Sequence, residues 1–194
     1  GGSGARPDAA RFSTTKTVTH GDTRNVPVEV EEAFYPLLVE RFEWRPDSAG
    51  PGRFRGGLGL RKVYRLRQEA EIVVAFERSK LPPWGLFGGG SAQVGFALIR
   101  QPGESQARKV FKGTALPLQS GAIVEFLSAG GGGRFPAWER PVDRVVTDVR
   151  QGYITAEGAR RDYGVAIDPA TLAVDAAETA ALRQAMQQAA EVQP

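Results

Sequence analysis

Arg45-Pro46-Asp47-Ser48-Ala49-Gly50-Pro51-Gly52-Arg53-Phe54-Arg55-Gly56-Gly57-Leu58-Gly59-Leu60 holds five glycines, two prolines and three arginines in sixteen residues. No helix survives that composition, because Gly and Pro are the weakest helix formers and Pro has no backbone donor. The stretch is therefore a shaped loop, in which glycine permits positive φ or close backbone approach. If it is extended, Arg53 and Arg55 point the same way and can face a carboxylate or phosphate.

Two further glycine-rich stretches follow, Gly85-Leu86-Phe87-Gly88-Gly89-Gly90 and Gly130-Gly131-Gly132-Gly133. Short β-type runs lie around and between the three. Leu37 to Trp44 reads as a strand, Arg61 to Leu66 and Glu71 to Glu77 as paired strands, the second with a buried run from Ile72 to Phe76. Val94 to Arg100, Ala107 to Gly113 and Ala122 to Leu127 read as further strands, and Phe12 to His20, rich in Thr and Val, as an extended segment. Regular turn signals with 24 glycines and 13 prolines place the chain in a mainly β class, sandwich- or barrel-like, with short helices at the C-terminal end.

The helical segments are few. Val28 to Tyr35 follows a proline and carries Glu29, Glu31 and Glu32 early, as a short helix favours. Val142, Val145, Val146 and Val149 recur at helical spacing after Pro141, and Gly152 ends that pattern. Thr155 is placed to cap a short helix that starts over 155–159, Tyr163-Gly164-Val165 leads into a final strand, and Ala176 to Val192 has the Ala, Gln and Glu content of a terminal helix. The expected division is a domain over 1–165 and a helical tail over 166–194.

Composition narrows the chemistry. The 194 residues contain no cysteine and one histidine, His20, so thiolate nucleophiles, disulfides and cysteine-ligated metals are excluded for this chain. With 25 basic against 22 acidic residues and no Lys/Arg run, nucleic-acid binding is not expected. No apolar run approaches the roughly eighteen residues of a membrane span, and a cytoplasmic location is expected. No glycine loop has Walker A or dinucleotide-binding spacing, and no nucleophile elbow is present.

The central loop resembles a signature of the hydantoinase B/oxoprolinase family, "DSGGAGKFRGGLG", at Asp47 to Gly59. Four further motifs follow that family's order: Gly1-Gly2-Ser3-Gly4-Ala5-Arg6, otherwise readable as a flexible linker; Asn25-Val26-Pro27-Val28-Glu29 with Glu32 and Pro36; Arg78 with Pro82-Pro83-Trp84-Gly85-Leu86-Phe87-Gly88-Gly89; and a C-terminal signature at Asp148, Val149, Gly152, Ile154, Thr155, Glu157, Ala159, Tyr163, Gly164 and Val165. The chain departs where the family has "L-x-x-G-D" and "T-P-G-G-G-G-Y-G", carrying Ala122, Ser128-Ala129 and Arg134-Phe135. The resemblance covers only the C-terminal third of such a subunit.

It implies part of a multisubunit, ATP-dependent hydrolase of cyclic amides, not catalytic alone. A hydantoinase A-like subunit would use the ATP, and the N-terminal portion of the B-type subunit would complete the chain. ATP and a divalent metal are implied for the whole complex, with no cofactor and no metal ligand expected in this chain. A subunit of an acetone or acetophenone carboxylase, and a non-catalytic assembly subunit, are the alternatives; the departures at Ala122 and 128–135 favour the latter.

From the residues themselves, the candidates for holding an anion or substrate are Arg53, Arg55, Gly56, Gly57, Arg78, Gly130, Gly131, Gly132 and Gly133. Guanidinium groups grip carboxylates and phosphates in a bidentate way, and glycine loops can present N–H groups to an anion. The plain alternative is tight turns and loop-bracing arginines. Asp47, Glu77 and His20 are the acid–base candidates, each set against a salt-bridged or hydrogen-bonded loop role.

Overall fold

A computed structural model describes residues 1–13 and 25–192, so His20 and most of the extended run expected over Phe12 to His20 lie outside the described residues. The order is α1 (Val28–Phe34), β1 (Leu37–Trp44), β2 (Leu60–Leu66), β3 (Ala70–Ala75), β4 (Phe96–Arg100), β5 (Arg108–Val110), β6 (Lys112–Leu118) and β7 (Ile123–Leu127). A short 3-10 turn (Ala137–Glu139), α2 (Val142–Arg150), α3 (Ala156–Tyr163), β8 (Ala166–Ile167), β9 (Val174–Asp175) and α4 (Ala176–Val192) follow. The chain is mainly β with short helices, as expected. No helix among the described residues is long and apolar enough to cross a membrane.

An antiparallel sheet of order β1-β2-β7-β4-β5 faces the two-stranded ribbon β3-β6. Leu66, Ala97, Ile99, Val110 and Val124 from the sheet meet Val74 and Leu118 from the ribbon in one apolar core. Ile99 and Val124 are almost wholly buried, and each such side chain contributes on the order of 1.5–3 kcal/mol through removal from water.

The expected pairing of Arg61 to Leu66 with Glu71 to Glu77 is not what forms. β2 pairs with β1 and β7, and β3 pairs with β6. Between them the chain steps from one sheet to the other, with the Arg67 amide donating to the Pro36 carbonyl. Leu66 and Val74 thereby cover the same core from opposite layers, whereas strands side by side in one sheet would leave that face open. Nor is the 72–76 run buried on both faces: Val74 is 2% exposed but Val73 65%. Ala107 to Gly113 divides at Phe111 into the end of one sheet and the start of the other, and the long strand β6 was masked by Gly113 and Pro117.

Register gathers the glycine loops at one end of the larger sheet. Trp44 pairs with Leu60, Arg61 with Leu127, and Leu127 with Phe96, so loops 45–59, 76–95 and 128–136 all leave from neighbouring strand ends. The neck of the first is closed by Arg45 N–H to Gly59 O, 2.9 Å, and by buried Ser48, whose hydroxyl donates to Arg45 O and accepts from Gly59 N–H. The loops then lie side by side: Gly50 N–H donates to Gly131 O, Gly131 to Gly57 O, Gly90 to Pro51 O and Gly133 to Gly90 O. The N-terminal residues join them, with Gly2 donating to Ala129 O and Ser3 O accepting from Gly57.

This glycine bundle is a backbone-on-backbone core. A Cβ at Gly132 would collide with the Trp84 carbonyl, and one at Gly56 with the Gly131 carbonyl. Segments this close pack only without side chains, for the same steric reason that glycine occupies the axis of a collagen triple helix. Beneath the bundle lies a second apolar core of Ala137, Val145, Ile154, Ala159, Tyr163, Val165 and Ile167. Thr155 caps α3, accepting from Gly158 N–H, and Gly164 ends it in the left-handed region. α4 is tied on through Thr179 Oγ1, which accepts from Ala166 N–H, and through Arg183, which donates to Tyr163 O and Arg140 O.

Candidate functional site

Where the glycine bundle meets the helical core, two arginines share one carboxylate. Arg55 Nε donates to Asp148 Oδ2 at 3.2 Å and Arg140 Nη2 to the same oxygen at 2.8 Å, with all three side chains buried. Arg55 also donates to Gly56 O, and Arg140 to Arg53 O. The cluster thus joins the central loop, the segment before α2 and α2 itself. Its charges do not cancel, since two guanidiniums face one carboxylate. Arg55 also lies 5.2 Å from the Tyr153 ring centroid, where the ring face gives partial compensation.

Tyr163, 1% exposed, sits beside this cluster. Burial pushes its phenol well above the ordinary value, while the Arg140 and Arg55 cations pull the other way. In the unfolded chain this tyrosine ionises near pH 10; in the folded chain it stays neutral. Unfolding then releases a proton above about pH 10, so stability is intact below that pH and falls as pH rises beyond it. Tyr163→Phe is expected to flatten that alkaline decline, measured by urea unfolding between pH 8 and 11; an unchanged slope would place its cause elsewhere.

Arg140 also lines a cavity of about 350 Å³ with Asp8, Ala9, Ala10, Arg53, Phe54, Pro141 and Arg144. Arg53 and Arg55, expected to face one ligand together, are separated by burial: the Arg55 side chain is 7% exposed and that of Arg53 54%. Arg53 stands 3.9 Å from Glu139 and against its neighbour Phe54. Arg140 and Arg144 escaped the sequence reading because single arginines around a proline carry no pattern. Asp148 was visible only as part of the C-terminal signature.

The remaining candidates lie apart. Arg78 stacks over Trp84 at 4.6 Å on the outer face of the second glycine loop. The amides of Gly56, Gly57, Gly130, Gly131 and Gly133 donate to backbone carbonyls within the bundle, and Gly132 is the one whose missing Cβ admits the Trp84 carbonyl. Asp47 anchors α3, accepting from Thr155 N–H at 2.9 Å and Thr155 Oγ1 at 2.8 Å. Glu77 is exposed and pairs with Lys112 at 3.1 Å. His20 lies outside the described residues.

The family model for hydantoinase B/oxoprolinase matches residues 1–134. The chain belongs to this family. As a hydantoinase B-type chain it is 36% identical over 146 residues to the caprolactamase subunit beta of Pseudomonas jessenii, covering 73% of this chain and 25% of that protein. The crystal structure of the ATP-dependent caprolactamase from Pseudomonas jessenii superposes with a TM-score of 0.82 at 28% identity, over 94% of this chain and 32% of that one. The nucleotide-free structure of acetone carboxylase gives a TM-score of 0.83 over 100% of this chain and 30% of that one, at 18% identity, a likeness of fold alone. The chain therefore spans about a quarter to a third of the length of these relatives.

The described residues of this hydantoinase B-type chain do not fit the divalent metal implied for enzymes of this family. Among the described residues no three His, Cys, Asp or Glu side chains gather. Asp47 and Asp148 are engaged by Thr155 and by two guanidiniums.

Proposed function

We propose that this chain is the C-terminal segment of a B-type subunit in an ATP-dependent enzyme that opens cyclic amides, working with the N-terminal remainder of that subunit and a hydantoinase A-like partner that uses the ATP. The observation that carries the reading is the 36% identity to the caprolactamase beta subunit. Family membership by itself is shared with the carboxylases.

An exposed apolar face supports a role within a larger assembly. Leu81, Trp84, Leu86 and Phe87 are exposed together on the second glycine loop, an apolar patch of the kind that marks interaction surfaces. Arg78, Phe87 and Phe135 around it hold left-handed backbone, with φ of 53°, 51° and 60°. Such strain costs on the order of 1–3 kcal/mol per residue and gathers at functional surfaces. The glycine bundle would hold this face rigid against the remainder of the subunit.

Native mass spectrometry of the protein isolated gently from its own cells tests the reading. Larger chains should accompany it, one of them ATP-binding, and the assembly should hydrolyse ATP in response to a lactam without added bicarbonate. ATP turnover that requires bicarbonate and a ketone would make it a carboxylase instead. A lone 20.9 kDa monomer would overturn the assembly reading.

A further inference from the structure

We propose that the cavity bounded by Arg53, Arg140 and Arg144 is a binding site for a phosphate-class oxyanion, either free phosphate or the phosphoryl group of a small phosphorylated compound. Three arginines line it against one acidic residue, Asp8, and Asp8 lies 3.4 Å from Arg6, which draws off part of its charge. Beneath it, Arg55 and Arg140 share a single Asp148 oxygen, so among the described residues a buried positive charge stands without a counter-ion. Arg140 Nε, in a side chain 8% exposed, has no hydrogen-bond partner among the described residues. An unsatisfied buried donor in a charged group is costly, and its persistence beside a cavity points to a ligand.

The local backbone adds to the same field. Pro141, on the cavity wall, is the N-cap of the nine-residue helix α2 and supplies no side-chain cap. The positive end of that helix therefore faces the arginines. Excess charge of this size matches a dianion better than a monovalent carboxylate, and arginine forks suit tetrahedral phosphate oxygens. Phe54 gives the wall an apolar side, and about 350 Å³ leaves room for a small organic group beyond the phosphoryl. Glu139, 3.9 Å from Arg53 on the exposed side, is the competitor an anion must displace.

The test is titration of the 194-residue chain with inorganic phosphate, methyl phosphate and acetate at constant ionic strength, followed by amide NMR. Saturable shifts should appear around Phe54 and Pro141 to Arg144, with phosphate at least about tenfold tighter than acetate. Arg53→Ala and Arg144→Ala, both at exposed positions, should each weaken phosphate about tenfold, the effect of one lost charge-assisted contact, while Lys112→Ala should leave it unchanged. Tighter binding of methyl phosphate would identify the phosphoryl group of a compound as the natural ligand, and tighter inorganic phosphate the free ion. Absence of saturation in the folded chain, equal binding of acetate, or indifference to both arginine changes would overturn the site. No turnover is measured, so failure here leaves the cyclic-amide reading intact, and failure of that reading leaves this site standing.

Discussion

Gly132→Ala is expected to destabilise the chain by upwards of about 3 kcal/mol, the top of the range for overpacking. For a domain of this size that lowers the melting temperature by roughly 6–12 °C. The added methyl would meet the Trp84 carbonyl, with Gly85 N close behind. Neither can swing aside as a flexible side chain would, because both are backbone. The Gly132 carbonyl also accepts from Ala5 N–H, so a shift of the third loop would loosen the N-terminal segment as well. Gly4→Ala is the control: its nearest neighbour beyond the adjoining residues is 3.9 Å from a built Cβ, and its effect should stay within about 0.5 kcal/mol. Equal melting temperatures for the two variants would mean that the glycine loops are ordinary turns and not a packed core.

The second large effect concerns the buried charges. Asp148→Asn keeps the shape of the side chain but leaves Arg55 and Arg140 with no counter-charge, and should cost about 3–5 kcal/mol. Arg55→Met acts in the opposite sense on the balance, leaving one arginine to one carboxylate. It forfeits the bond to Gly56 O and the contact with the Tyr153 ring, and should cost only about 1–2 kcal/mol. The ordering is what matters: removing the single anion must hurt more than removing one of two cations. Urea midpoints for the two variants at pH 7, compared at unchanged slope, decide it. If Arg55→Met were the worse of the two, Arg55 would be held chiefly by its contacts with the loop and the excess charge would be of little consequence.

Much of the fold could be read before any coordinates. The cap at Thr155, the stop at Gly152, the valine spacing of α2 and the Ala-rich terminal helix are local signals, because each depends on residues within one or two turns. Pairing is different. Arg61 to Leu66 and Glu71 to Glu77 look alike whether they are neighbours in one sheet or face each other across a core, and only the partners Ile123–Leu127 and Lys112–Leu118 separate the two.

The candidate site divides in the same way. Asp47 sits beside a glycine loop in the sequence, as a catalytic acid would, yet its two oxygens are engaged by Thr155, 108 positions away. Arg53 and Arg55 share a local pattern but not an environment, because α2 and its Asp148 come up against only the second of them. Arg140 and Arg144 gave no sign in the sequence.

What the sequence by itself determined was the family, the mainly β class, where the helices start and that the glycine stretches are loops, since all of these follow from short-range sterics, capping and motif order. What only the tertiary structure decided was that three glycine loops and the N-terminal residues pack into one backbone core, and that this core places Arg53, Arg140 and Arg144 around a cavity above an uncompensated buried charge. Both arise from contacts across some 80 to 130 residues of chain, between Gly2 and Ala129, Gly50 and Gly131, and Arg55 and Asp148. Such contacts are set by the register of β1, β2, β7 and β4, and register is a property of strands in pairs that no single stretch of sequence contains.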